Sequence, residues 1–166
     1  MKKIQIIITT LIVAIAVASC GYNFTGTGDL NAKTYQVNFF QNNAPIIEPG
    51  LDRDFTLGLQ DFIQNQTSLD LVRSNGDLVY EGEIVEYRVS PMSATANNTA
   101  AQNRLTIAVQ VRFTHKNRPE DDFDKRFSFF YDYPASTQLP SVQATAFQEI
   151  FDRLNLDIFN ASLANW

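Results

Sequence analysis

The sequence predicts an α+β domain: two helices packed on one face of a four-stranded sheet, mixed but mostly antiparallel, in the order β-α-β-β-β-α. Three observations point there. Residues 104–114 alternate strictly, with Leu105, Ile107, Val109, Val111 and Phe113 on one side and Arg104, Thr106, Ala108, Gln110 and Arg112 on the other. That is a strand with one buried face. Two other segments, from about residue 48 to 66 and from about 141 to 164, carry their apolar residues at helical spacing instead. A sheet with one apolar face and two helices with one apolar stripe each bury those surfaces most economically when both helices lie on the same side.

In chain order, "TYQVNFF" (34–40) is rich in β-branched and aromatic residues and predicts the first strand, broken by the two prolines of "QNNAPIIEPG". A helix follows from Glu48 or Pro49, with Leu51, Phe55, Leu59, Phe62 and Ile63 on its apolar face, and ends near Gln66-Thr67. Asn75-Gly76 marks a turn into a long strand from Leu78 to Val89. Its apolar residues change parity between Ile84 and Val85, which predicts a bulge there. The 104–114 strand comes next, then the polar turn "HKNRPEDD" and a returning strand marked by Phe123, Phe127, Phe129 and Tyr131. Pro134 and Pro140 bracket a loop. The last helix is expected from Ser141, as N-cap, to Ala164, burying Val142, Ala146, Phe147, Ile150, Phe151, Leu154 and Ile158. The first βαβ crossover makes strands one and two parallel, and the rest form an antiparallel meander.

Ahead of this domain, Lys2 and Lys3 precede an apolar run from Ile4 to Ala18. The run has the length of a signal-peptide core and falls short of the ~20 residues that span a bilayer. Val17-Ala18-Ser19-Cys20 fits the bacterial lipobox, and Cys20 is the only cysteine, so no disulfide competes for it. The expected organisation is a cleaved lipoprotein signal peptide (1–19), a lipidated Cys20 with a Gly-rich tether to residue 33, and one domain over 34–166. Acyl chains bury about 0.8 kcal/mol per methylene, so a triacylated cysteine is an effectively permanent anchor.

The chain is acidic, with a formal net charge of −5, and loses two further lysines with the signal peptide. That argues against a nucleic-acid partner, though not against an anionic ligand at a local basic patch. Little supports catalysis. The single histidine, His115, sits beside the polar turn, where a solvated residue is a better reading than a general base. No Gly-rich phosphate loop is present. "PEDDFD" (119–124) groups acids but lacks the alternating ligands of a calcium loop, and reads as a solvated hairpin turn. No enzyme activity, metal or cofactor is expected beyond the covalent lipid on Cys20.

Two features carry more information. A hairpin turn centred on Pro119 places Arg112 directly opposite Arg126 on the solvent face, with Arg88 and Arg104 extending the patch. Like charges so placed call for something anionic between them. Two readings stay open: an anionic ligand, or neutralisation by Asp124 or Glu86. The second feature is "SPMSATANNTAAQN" (90–103), an uncharged connection of small residues, suited equally to insertion into a partner's interior and to a floppy tip.

Together "CGYNFTG", "NGDLVYEGEIVEYRVSP", "AAQNRLTIAVQVRFTHK" and the terminal "DIFNASLANW" resemble the lipopolysaccharide-assembly lipoprotein family LptE, in its Bacteroidota form. The resemblance spans essentially the whole chain after Cys20. It implies two helices on a four-stranded sheet, lipidation of Cys20, and a non-enzymatic role facing the periplasm from the outer membrane. It further implies that the protein plugs and helps assemble the β-barrel LptD and binds lipopolysaccharide in transit. The candidate lipopolysaccharide contacts Arg88, Arg104, Arg112 and Arg126 come from strand pairing, not from the resemblance. Rival classes are a pilotin-like secretion-pore assembly lipoprotein and a periplasmic lipid carrier.

Overall fold

The computed structural model describes residues 31–92 and 101–164. The expected signal peptide, Cys20, nearly all of the expected tether and the middle of the 90–103 connection lie outside the described residues.

The first strand, β1 (Thr34–Val37), runs parallel to β4 (Leu78–Met92), with Tyr35 opposite Leu78 and Val37 opposite Tyr80. Between them the chain crosses over through helix α1 (Leu51–Gln66), as the βαβ reading expects. The crossover is pinned at its return. The Asp77 carboxylate accepts hydrogen bonds from the backbone N–H groups of Lys33 (2.9 Å) and Thr34 (3.2 Å), while the Asp77 N–H donates to Thr34 Oγ1. Those bonds, led by the one from Lys33, hold the Asp77 carboxyl below its ordinary range.

β1 is shorter than the expected 34–40 stretch because Phe40 leaves the ladder to enter the core, where it is fully buried. Its N–H is satisfied by Thr56 Oγ1 of α1. The chain then rejoins β4 as the two-residue strand β2 (Gln41–Asn42), again in parallel. A second two-residue strand, β3 (Asp70–Leu71), pairs with the outer side of β1. Among the described residues the sheet therefore has six strands, in the order β3-β1-β4-β5-β6 with β2 beside β4, where the sequence alone predicts four. The additions are short pieces fixed by the crossover.

β5 (Gln102–His115) and β6 (Phe123–Pro134) complete the antiparallel meander. The register shifts between Ile84 and Glu86, the predicted bulge. The turn between β5 and β6 contains one 3₁₀ turn, Pro119–Asp121. Its register corrects the expectation: Phe113 faces Phe123, so Arg112 lies opposite Asp124, and Arg126 opposite Gln110. The predicted turn centre is off by one residue, which moves every pairing by two and leaves the buried face unchanged. The favoured register stacks the Phe113 and Phe123 rings at 5.3 Å and sets opposite charges face to face.

His115 is a second correction. It is fully buried, not solvated. β5 extends to His115, which shares the parity of Val111 and Phe113 and so turns inward. Its backbone N–H donates to Asp122 Oδ1 (2.7 Å), and its ring Nδ1 accepts from the Asn117 N–H. Asp122 thereby ties the turn to the strand end.

Helix α2 (Leu139–Leu163) starts two residues earlier than predicted. Pro140 lies in its first turn, where a missing N–H costs nothing, and Gln138 is the N-cap. Ser141 is already helical; its hydroxyl donates to the Gln138 carbonyl. Leu51, Phe55, Leu59 and Ile63 of α1 and Ala146, Ile150, Leu154 and Ile158 of α2 are fully buried against the inner sheet face. Each large aliphatic or aromatic side chain so buried contributes roughly 1.5–3 kcal/mol. A buried hydrogen bond between Tyr80 Oη and Ser162 Oγ (2.9 Å) joins the middle of the sheet to the end of α2. Burial pushes the Tyr80 phenol well above its usual range, so it stays protonated.

Candidate functional site

The helices occupy one side of the sheet, and the other carries the charges. The bulge at Ile84–Glu86 decides which residues stand there. Before it, Tyr80 and Ile84 point into the core and Glu81 and Glu83 point out; after it, Tyr87 points in and Glu86 and Arg88 point out. Without the extra residue Glu86 would be driven toward the core.

The structure places all four candidate arginines on this outer face, but not as one basic patch. Arg112 is held between Glu81 (3.1 Å) and Asp124 (3.3 Å) on the flanking strands. These two carboxylates raise the Arg112 pKa, the Glu81 hydrogen bond most. Asp124 is lowered, first by the hydrogen bond from Gln110 Nε2 and then by Arg112. Arg104 makes a bidentate pair with Asp132, Nε to Oδ1 at 2.7 Å and Nη2 to Oδ2 at 2.8 Å, and its guanidinium lies 3.5 Å over the Phe130 ring. That fork lowers the Asp132 pKa and raises that of Arg104.

Arg88 and Arg126 share one acid. Arg88 Nε lies 2.8 Å from Glu86 Oε1, and Arg126 Nη2 bonds the other oxygen, Oε2. Both arginines are more than half exposed, whereas Glu86 is only 19% exposed. Two guanidinium groups on one carboxylate leave this corner locally positive. Beside it lies a shallow cleft lined by Pro45, Ile46 and Val85, with Ile46 well exposed. The arrangement puts cationic donors next to apolar surface, the two requirements of a phosphorylated amphiphile. A second cleft, around Glu81, Glu83, Gln110, Arg112 and Asp124, sets three carboxylates against one arginine and is net negative.

Sequence reading finds the four arginines and names Glu86 and Asp124 as their possible neutralisers. It misses Glu81, Asp132 and the stacking ring Phe130, all of which sit at matching parity on neighbouring strands. It also misses Ile46, which the fold brings to Glu86 from the loop after β2. The acids of "PEDDFD" take structural parts: Asp121 pairs with Arg118 (3.1 Å), Asp122 holds the His115 N–H, and Asp124 holds Arg112.

Compared with known proteins, the chain matches the family model of LptE, lipopolysaccharide-assembly, over residues 32–162. No curated protein matches its sequence. Solved structures share its fold at low identity. The hypothetical protein CT253 of Chlamydia trachomatis superposes with a TM-score of 0.55 at 9% identity, covering 81% of this chain and 99% of that one. XCC0632 of Xanthomonas campestris gives 0.50 at 12%, covering 78% and 84%. The rare lipoprotein B of Shewanella oneidensis gives 0.47 at 11%, covering 76% and 89%.

Proposed function

The chain belongs to the LptE family of lipopolysaccharide-assembly proteins, and from that premise we propose that it is a lipid-anchored outer-membrane protein that plugs and helps assemble the LptD β-barrel and binds lipopolysaccharide on its way to the outer leaflet. The observation that carries this reading is the family match itself, which runs from residue 32, just ahead of β1, to residue 162 in the last turn of α2. The protein acts by binding and performs no chemistry of its own.

Physical features support the plug and the lipid contact. The lumen of a large barrel is polar and wet, so a plug needs a polar outer surface over a self-sufficient core. The ion-paired outer face of the sheet over the buried helix–sheet core is such a surface. Cys20 supplies the anchor, holding the domain at the periplasmic side of the outer membrane, and the residues up to 33 supply reach. Lipopolysaccharide presents phosphates beside acyl chains. The Arg88–Glu86–Arg126 corner with Pro45, Ile46 and Val85 offers donors for the first and apolar surface for the second. Arg104 and Arg112 each already hold carboxylates through two contacts and shape the surface around it.

The test is a tagged full-length protein extracted from outer membranes in mild detergent. It is expected to bring LptD down in near-equal amounts and to carry lipopolysaccharide with it. A pull-down that retains no large barrel overturns the plug assignment.

A further inference from the structure

The sheet has two unlike edges. On one side it ends in the two-residue β3, laid against the four-residue β1, pieces too short to template another strand. On the other it ends in β6, which is 12 residues long and pairs with β5 without a bulge from Phe123 to Pro134. In an antiparallel ladder about half of an edge strand's N–H and C=O groups point away from its neighbour. Among the described residues no hydrogen bond reaches the outward groups of Phe123 to Tyr133. Charges guard only the ends of this edge, Asp124, Lys125 and Arg126 at one and Asp132 at the other, and the stretch from Phe127 to Tyr131 carries none. Phe129 and Phe130 have opposite parity, yet their rings stack at 5.6 Å, which brings both to the open side of the strand, and Phe130 is 41% exposed. A long edge with an uncharged aromatic middle is a template for another strand.

We propose that this edge pairs with the β6 edge of a second copy of the chain, antiparallel about a two-fold axis at Phe129. The occupant follows from the strand's own sequence. Residues directly opposite in an antiparallel pair share a face, so a two-fold pairing of β6 with itself can slide only in steps that keep parity. With Phe129 opposite its own copy, Arg126 falls opposite Asp132 of the other copy, and the reverse, which closes two ion pairs on the outer face. Phe127 then falls opposite Tyr131 on the inner face, and Phe130 opposite the small Ser128, which leaves its ring room. The neighbouring registers lose this match. Centred on Ser128, the pairing sets Asp124 against Asp132 twice; centred on Phe130, it leaves Arg126 against Pro134 and Asp132 against Ser128. Opposite charges directly across a pair stabilise it and like charges destabilise it, so the charges select the register centred on Phe129. Asp132 already takes Arg104 from β5 and keeps part of its side chain exposed, as does Arg126 beyond Glu86. The added ion pairs therefore extend rows of alternating charge that already cross the sheet. A patch complementary to itself is what a two-fold interface requires.

The inference concerns the free protein and rests on neither the barrel nor the lipid reading, and its test contains neither. Full-length protein carrying one or the other of two tags is mixed in detergent, with micelles in excess, and capture of one tag is scored for the other. The wild type is expected to capture itself. Arg126→Asp and Asp132→Arg each set like charges together at both ends of the pairing, so each is expected to capture itself several-fold less well. Mixed with one another, the two variants regain both ion pairs and are expected to recover the wild-type level, a recovery that a damaged fold cannot produce. Phe129→Cys places a thiol on the axis, opposite itself, and mild oxidation is expected to link two copies through it. Leu57→Cys, at an exposed position of α1, is expected to stay unlinked. Absence of self-capture by the wild type, charge reversals that fail to recover on mixing, or equal linkage at the two introduced thiols overturns the pairing. Linkage of Phe129→Cys to a copurifying protein in place of a second copy gives the edge to another occupant and overturns it as well.

Discussion

Arg112 stands directly across the β5–β6 ladder from Asp124, with 3.3 Å between Nη2 and Oδ2, and its other arm reaches Glu81 on β4. One guanidinium thus links three adjacent strands. The same pattern recurs along the face: Arg126 of β6 crosses to Glu86 of β4, and Arg104 of β5 forks onto Asp132 of β6. The outer face is a set of cross-strand ion pairs, which makes it polar without making it basic. That distinction sets the sign of the predictions.

Arg126→Ala is expected to destabilise the isolated protein slightly. With like charges opposed, removing one arginine would be neutral or favourable; with Glu86 as its partner, it leaves a carboxylate with one cation fewer. Arg126 is more than half exposed and Glu86 keeps Arg88 as a second partner, so the loss should stay within about 1 kcal/mol. Denaturant unfolding checks it, and a clear gain in stability would contradict the pairing.

Gly82→Ala is expected to be among the more damaging single changes in the sheet. An added Cβ would fall 2.0 Å from the Gln110 carbonyl oxygen and 2.8 Å from the Phe40 ring. Phe40 packs over this glycine where β1 breaks, so the two positions are matched. Neither neighbour yields easily, since one is backbone in the next strand and the other a fully buried ring. The cost should reach or exceed the roughly 1–3 kcal/mol of an overpacked core. Ala at exposed positions of the same strand provides the comparison.

The Arg104–Asp132 fork predicts a pH dependence. The Asp132 pKa is lowered in the folded protein, chiefly by the hydrogen bond from Arg104. The unfolded chain therefore holds its proton more tightly than the folded one. The stability gained is fully present above the unfolded value of about 3.9 and is lost as pH falls through the lower folded value. Thermal melts from pH 6 down to pH 2 should show Asp132→Asn converging on the wild type at the acidic end. A difference that stays constant across the range would mean that the fork contributes through packing alone.

Much of this architecture is legible in the sequence, for reasons that also mark where legibility stops. The alternation of Leu105 to Phe113 fixes a strand and its buried face, and the parity change at Ile84–Val85 fixes the bulge that turns Glu86 outward. Register is harder. Turns centred on Pro119 or one residue earlier satisfy the same alternation, and only tertiary preferences such as Phe113 stacking on Phe123 choose between them. His115 misleads because polarity argues for solvent while its parity argues for the core, and parity prevails once β5 runs its full length. β2 and β3 carry no sequence signal, because two-residue strands depend on where the crossover delivers the chain.

Cys20→Ala is expected to abolish lipid attachment and leave an unacylated protein, since its thiol is the proposed acceptor of the first acyl group. Metabolic labelling with a radioactive fatty acid reports it directly, and undiminished labelling of the variant would contradict the anchor. Folding should not depend on the lipid, because among the described residues the buried hydrophobic core runs from Tyr35 to Leu163, within the domain itself.

Glu86 offers the sharpest test of the proposed lipid-binding corner, because two substitutions there should act in opposite directions. In the free protein Glu86 shares its carboxylate between Arg88 and Arg126. A lipid phosphate arriving at this corner must compete with that carboxylate for the same donors. Glu86→Gln removes the competitor and keeps the shape, so binding of phosphorylated lipid A should tighten while the fold loses a little stability. Arg126→Ala removes a donor, so binding should weaken, by roughly 1.5–3 kcal/mol if the contact is charge-assisted. Both effects should shrink as salt rises, because these groups are exposed enough to be screened. A dephosphorylated lipid A should bind all three forms alike, since only the acyl chains then engage Ile46 and Val85. Fluorescence titration of the full-length protein with the two lipids separates the cases. If Glu86→Gln and Arg126→Ala change phosphorylated lipid A binding in the same direction, or leave it untouched, these arginines serve the sheet alone and the lipid contact lies elsewhere on the domain.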